Sequence, residues 1–196
     1  MNRSTRLKLA NFLMFQAGWL ACVLGAARGQ PWLGPATVIP ILAIHLSWAR
    51  RPRQEAVLLA ICGLAGLLFD ASLLATTWVG YPGGWWLPGL APYWMLFMWL
   101  IFGATLNLSM SWIRGRPLLA ALIGAIGGPL AYLAGARLGG ITFVETTQAL
   151  TALAIGWALV LPLFSQLAKR LDGFTCPPLP GFFLRDRDRW DLSGHV

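Results

Sequence analysis

Asp70 is the one carboxylate in the apolar run Gly63–Ala75. An ionisable group inside a membrane-like segment is costly unless it has a partner, and it marks a site by default. The helical rise puts Asp70 about 22 Å from the start of its segment, in the outer half of a bilayer. Arg137 lies about 30 Å from the start of its own segment by the same rise, and a long side chain can snorkel back along its helix. Arg137 is therefore the first candidate partner and Arg28 the second. A polar pocket built on Asp70 and Arg137 would bind a cation or proton, or hold an arginine against an anionic lipid or substrate. The competing reading is a buried pair, or an Asp70 bonded to Thr76, Thr77 or backbone, that only fixes helix register. Above the pair runs the charge-free loop Val79–Pro92. Trp85, Trp86 and Tyr93 suit an interfacial aromatic belt first, with the mouth of the pocket as the alternative.

A second polar group lies toward the other face: Asn11, Gln16, His45 and Asn107. Each is close enough to the end of its segment to meet the others, and interhelical hydrogen bonding is the expected role. His45 has no second His or Cys within a turn, so no metal site is expected. No cofactor is expected either. Gly124-Ala-Ile-Gly-Gly128 has no following Gly-Lys-Ser/Thr and so is a packing stripe, not a phosphate loop. Ser72 has no base at helical spacing. The residues point away from enzymatic chemistry.

The elements that must position these groups are membrane helices. Of 196 residues only 11% are charged, against 57% hydrophobic, with eleven Trp. A soluble domain carries about a quarter charged residues. Apolar runs predict an all-α, polytopic bundle of six transmembrane helices at about 9–27, 31–48, 55–78, 91–112, 117–136 and 146–167. The first is expected to be retained, because Asn11 and Gln16 interrupt the pattern of a cleaved leader. Two stripes of small residues, Ala17/Ala21/Gly25 and Ala120/Gly124/Gly128, predict close helix contacts. Residues 171–196, rich in Pro and charge, are expected to form a mobile tail, with membrane docking of Phe182, Phe183 and Trp190 as the alternative.

The net charge of +8 does not imply nucleic acid, since the basic residues cluster between apolar runs. With both termini cytoplasmic, thirteen of the fifteen Lys and Arg fall on the inner side, leaving only Arg28 and Arg137 outside. The positive-inside rule selects that orientation. The expected partners are membrane lipids, a lipid-like ligand or another membrane protein.

The stretches Phe15-Gln-Ala-Gly-Trp, Gly29-Gln-Pro-Trp, Leu68-Phe-Asp, Tyr81-Pro-Gly-Gly-Trp, Pro92-Tyr-Trp-Met and Gly127-Gly-Pro-Leu-Ala-Tyr resemble, as a set, a bacterial inner-membrane family catalogued as domain of unknown function 2878. The resemblance covers residues of about 10 to 170. It brings no catalytic residue. Its members often lie beside genes for fatty-acyl modification, and the resemblance thereby implies an envelope-lipid role. The functional expectation is a protein that binds or moves a small or lipid-like ligand in an outer-half polar pocket. The alternative is a structural or assembly subunit with no ligand of its own. Least expected is a lipid-modifying enzyme.

Overall fold

A computed structural model describes residues 3–175. It is all-helical but for one two-residue ribbon. The helices are α1 (Arg3–Ala27), α2 (Leu33–Trp48), α3 (Pro52–Ala75), α4 (Tyr93–Gly103), α5 (Pro117–Arg137) and α6 (Thr146–Arg170). α1 from Ser4 onward, α3, α5 and α6 are long and apolar enough to cross a membrane. α2 has 16 residues and α4 only 11. Pro52 and Pro117 open α3 and α5 at the first helical turn, where a missing N–H costs nothing. The arginines before them therefore sit at helix starts. We call this the basic end, and the opposite one the loop end.

Three sequential hairpins, α1–α2, α3–α4 and α5–α6, make the bundle. α4 packs on α1 and α2 as well as on α3, and α6 packs on α3. Trp94, Trp99 and Ile101 of α4 are buried in the core. Gly124 and Gly128 bring α5 against α6 so closely that an added Cβ would lie within 2.2 Å of Trp157. The expected stripe on α5 is thus a true contact. The one on α1 is turned: Ala17 is exposed, whereas Gly18, Cys22 and Gly25 are buried.

At the loop end, Val79–Gly80 pairs antiparallel with Thr142–Phe143, strapping the α3–α4 loop to the α5–α6 loop. Thr77, just before this ribbon, turns the chain with φ of +61°.

The fourth segment differs from its expected continuous helix over 91–112. It breaks after Gly103 into turns, with a short 3-10 turn at Ser111–Ile113. The break coincides with a run of hydrogen-bonding residues, Thr105, Asn107, Ser109 and Ser111, types whose side chains compete with the helix ladder. Thr105 Oγ1 donates to Phe102 O. Asn11 of α1 reaches into the break, donating to Ala104 O at 3.1 Å and accepting from the Ser109 N–H and hydroxyl. Buried irregular backbone survives only when its polar groups find partners.

The first residues of the expected tail are bound rather than free. Gly173 O accepts from the Arg51 N–H, and Thr175 O from the Arg51 guanidinium. Phe182, Phe183 and Trp190 lie outside the described residues.

Candidate functional site

Two fully buried carboxylates sit on α3, at its basic end and toward its loop end. Asp70 is the second. Its Oδ1 accepts from the hydroxyls of Tyr81, at 3.0 Å, and Tyr132; its Oδ2 accepts from Trp99 Nε1 at 2.6 Å. The three donors come from the α3–α4 loop, from α5 and from α4. Both oxygens are engaged by neutral side chains, which are cheaper to bury than a guanidinium. Tyr81 lies outside the helices, and burial first, then the nearby Asp70, raises its hydroxyl well above the usual range. It therefore stays a donor.

The structure does not bring Asp70 and Arg137 together. Arg137 is exposed at the end of α5, and Arg28 is exposed in the α1–α2 turn. Tyr132 takes the expected place of Arg137 because it lies five residues deeper on the same helix and faces inward. Thr76 and Thr77 bond locally to Leu73 O and Thr76 O, not to Asp70. Trp85 and Trp86 are about half exposed, and Trp86 Nε1 donates to Ala91 O. Tyr93 opens α4, its N–H donating to Gly84 O. The loop residue that does reach inward is Tyr81.

Glu55 is the other buried carboxylate. Its Oε1 accepts from the Asn107 amide and from the Gly173 N–H, and its Oε2 lies 3.2 Å from His45 Nε2. His45 Nδ1 has no hydrogen-bond partner among the described residues. That pattern fits the tautomer in which the Nε2–H donates to Glu55. The Phe174 ring packs edge-on against His45. Around this node, Arg114 donates to Asn107 Oδ1 and to Asp172 Oδ2. The expected inner cluster thus divides in two. His45 and Asn107 join Glu55, and Asn11 holds the α4 break. Gln16 is half-buried and belongs to neither.

A cavity of about 250 Å³ lies between α1 and α5, with α4 and α6 behind it. α1 contributes Phe15, Trp19 and Val23; α5 contributes residues from Ile123 to Gly135. By the helical rise that stretch is about 18 Å long, so the cavity, called the slot below, borders much of α5. None of the described residues that line it is charged. α1 and α5 are not a packed pair along their lengths. They converge at the loop end, where Gly139 and Gly140 approach Ala27 and Val23. Midway, Gly127 lines the slot, is exposed and has nothing within 4 Å of where a Cβ would stand. The slot therefore opens sideways. Its back wall includes Trp99 and Tyr132, the side chains that Asp70 holds, and Trp157, stacked on Trp99 with ring centroids 4.7 Å apart.

A family model described as "Protein of unknown function (DUF2878)" matches residues 8–163. The chain belongs to this family. No curated protein matches it, and no solved structure does. The matched region contains both carboxylates and the whole slot of this DUF2878 member, while Asp172 to Thr175 fall beyond it.

Four residues of these sites escape a reading of the sequence: Glu55, Tyr81, Trp99 and Tyr132. Glu55 looks like an ordinary first-turn acid that complements the helix dipole. The aromatics look like belt and core. The usable signal is chemical: a buried carboxylate without a cation needs neutral donors, and Tyr and Trp are the apolar side chains that carry one.

Proposed function

We propose that this protein is a multi-pass component of the bacterial inner membrane, basic end cytoplasmic, that holds one hydrocarbon chain of a lipid-like ligand in the slot between α1 and α5. The reading rests on one observation: a cavity of about 250 Å³, with no charged residue among the described residues that line it and bordered by about 18 Å of α5 by the helical rise, opens sideways where two membrane-length helices fail to pack. A bilayer leaflet's hydrocarbon is about 15 Å deep, half of a core of about 30 Å. One chain of that length matches the stretch of α5 that borders the slot. The polar pocket expected around Asp70 gives way to this apolar one, and Asp70 becomes the residue that sets its back wall. In this reading the protein binds or moves its ligand without chemistry: among the described residues that line the slot the one ionisable side chain is Tyr132, whose hydroxyl is held by Asp70.

The test uses the full chain in nanodiscs that contain a phospholipid with a diazirine on its acyl chain. Irradiation is expected to label α1 and α5 residues that line the slot. Gly127→Phe places a ring at the side opening, where an added Cβ meets nothing within 4 Å, so labelling there should fall about tenfold while thermal stability holds. Uniform labelling of all lipid-facing helix surfaces, unchanged in the variant, would leave the assembly-subunit reading in its place.

A further inference from the structure

Asp70 is buried between two surfaces of the bundle. Tyr81, which donates to its Oδ1, belongs to the α3–α4 loop at the loop end. Tyr132 and Trp99, which donate to Oδ1 and Oδ2, border the slot. One side chain therefore separates the carboxyl from each surface. Its neighbours carry no charge. On α3, Ser72 and Thr76 bond to their own helix. The loop, α4 and α5 present phenols and an indole, and behind Trp99 stands the Trp157 ring of α6. Phenols and indoles stay uncharged between about pH 5 and 8. The charged residues of the loop end, Arg28, Arg137 and Glu145, are exposed.

The hold on those donors depends on the proton of Asp70. A carboxylate holds a donor about twice as firmly as a neutral acceptor does. A neutral carboxyl also needs an acceptor for its own hydrogen. The Trp99 N–H cannot serve, but a phenol oxygen can, so the proton belongs on Oδ1, where the two phenols meet. A phenol that accepts must turn its own hydrogen away. Among the described residues, Tyr132 bonds through its hydroxyl to Asp70 alone. We infer that occupancy of the slot is linked to a proton on Asp70: the carboxylate fixes Tyr132 in the slot wall, and a proton taken up from solvent at the loop end loosens that wall and releases the hydrocarbon chain. This rests on the slot being a ligand site. It makes the protein a proton-linked carrier of its ligand, not a passive holder.

The test uses the full chain in phosphatidylcholine nanodiscs, with a phosphatidylcholine that carries an aryl diazirine on its acyl chain. Labelling of the slot residues Trp19 and Ile123 is divided by labelling of the exposed Leu118 and Leu122, so probe yield cancels. Lowering the pH from about 8 to about 5 should cut that ratio about fivefold, the low end of couplings between linked sites. Asp70→Asn, which cannot ionise, should give the low ratio at every pH. Tyr132→Phe keeps the ring and cuts its bond to Asp70, and should also flatten the profile. Tyr81→Phe loses a bond to the same oxygen away from the slot, and should keep the pH dependence. If Asp70→Asn does not fold, the tyrosine pair decides. A ratio in the native chain that is flat or rises in acid overturns the linkage. So does a pH dependence that survives in Asp70→Asn, which would assign it to His45 or Glu55 at the basic end, or equal behaviour of the two tyrosine variants. Each of these leaves the slot standing. No labelling of Trp19 and Ile123 at any pH defeats the slot reading itself.

Discussion

Asp70 and Glu55 stand on one helix, fifteen residues apart, and neither is exposed at all. They are nonetheless different devices. Asp70 is ringed by side chains from inside the bundle: two phenols and an indole. Two of the three, Trp99 and Tyr132, also wall the slot. Glu55 gathers an imidazole, an amide and the backbone N–H of Gly173, which arrives only after the last helix ends. One carboxylate shapes an interior surface; the other closes the chain onto itself. The number of hydrogen bonds is alike in both, so the count does not reveal the role. What separates them is where the donors lead.

The largest effect is expected from Glu55→Ala. It strands the His45 Nε2–H, the Asn107 amide and the Gly173 N–H in a dry site, a loss of about 3–5 kcal/mol by analogy with broken buried ion pairs. Thermal unfolding in detergent measures it. Limited proteolysis should also show faster cutting around Asp172–Thr175, with slot labelling of the surviving fold unaltered. Asp70→Ala comes next, at about 2–3 kcal/mol for its three stranded donors, and here slot labelling should fall. Asp70→Asn should cost less than Asp70→Ala, since the amide oxygen still accepts and a tyrosine oxygen can accept from the amide N–H. If Glu55→Ala disturbs the slot as much as Asp70→Ala does, the contrast between the two sites is wrong.

Gly66→Ala probes the slot wall without touching a carboxylate. Its Cβ would fall 1.9 Å from the Trp99 ring, so the indole must shift. Overpacking of this kind costs about 1–3 kcal/mol, and a loss of slot labelling is expected alongside it. The smallest effect is in acid. Burial would raise the Asp172 carboxyl, but bonds from Thr175, Arg114 and the Thr175 and Phe174 backbone outweigh burial and hold it below the usual range. Its contribution is therefore complete above the ordinary carboxylate value of about 3.9 and is lost as pH falls through the lowered one. Hydrogen exchange at the Phe174 and Thr175 amides, both donors to Asp172 Oδ1, should quicken only in that acid window. Quickening near neutral pH would shift the latch from Asp172 to another group.

Much of the frame can be read directly from residue types. Arg51-Pro52 and Arg116-Pro117 announce helix starts, and Ala120, Gly124 and Gly128 announce the α5–α6 contact. Asp70 is visible as a charge that needs company. The company itself is not visible, because Tyr132 lies 62 residues away and Tyr81 sits in a Gly/Pro loop whose composition also suits a membrane surface. Depth along a straight helix favoured Arg137; inward facing decided for Tyr132, and only packing determines facing. The break in the fourth segment was hidden for a related reason. Thr105, Asn107 and Ser109 read as tolerable polar residues in a helix until Asn11, from a distant part of the chain, is seen bonded to the freed backbone.

That last bond bears on how the protein is made. α4 alone, 11 residues and about 16 Å by the helical rise, falls well short of the roughly 30 Å hydrocarbon core. The turns that follow it leave backbone groups that lipid cannot satisfy. On the multi-pass reading proposed above, synthesis from the N-terminus would deliver Asn11 into the bilayer some ninety residues before Ala104 and Ser109 emerge. The first helix would then be a built-in assembly guide for a later segment that could not settle in the membrane unaided.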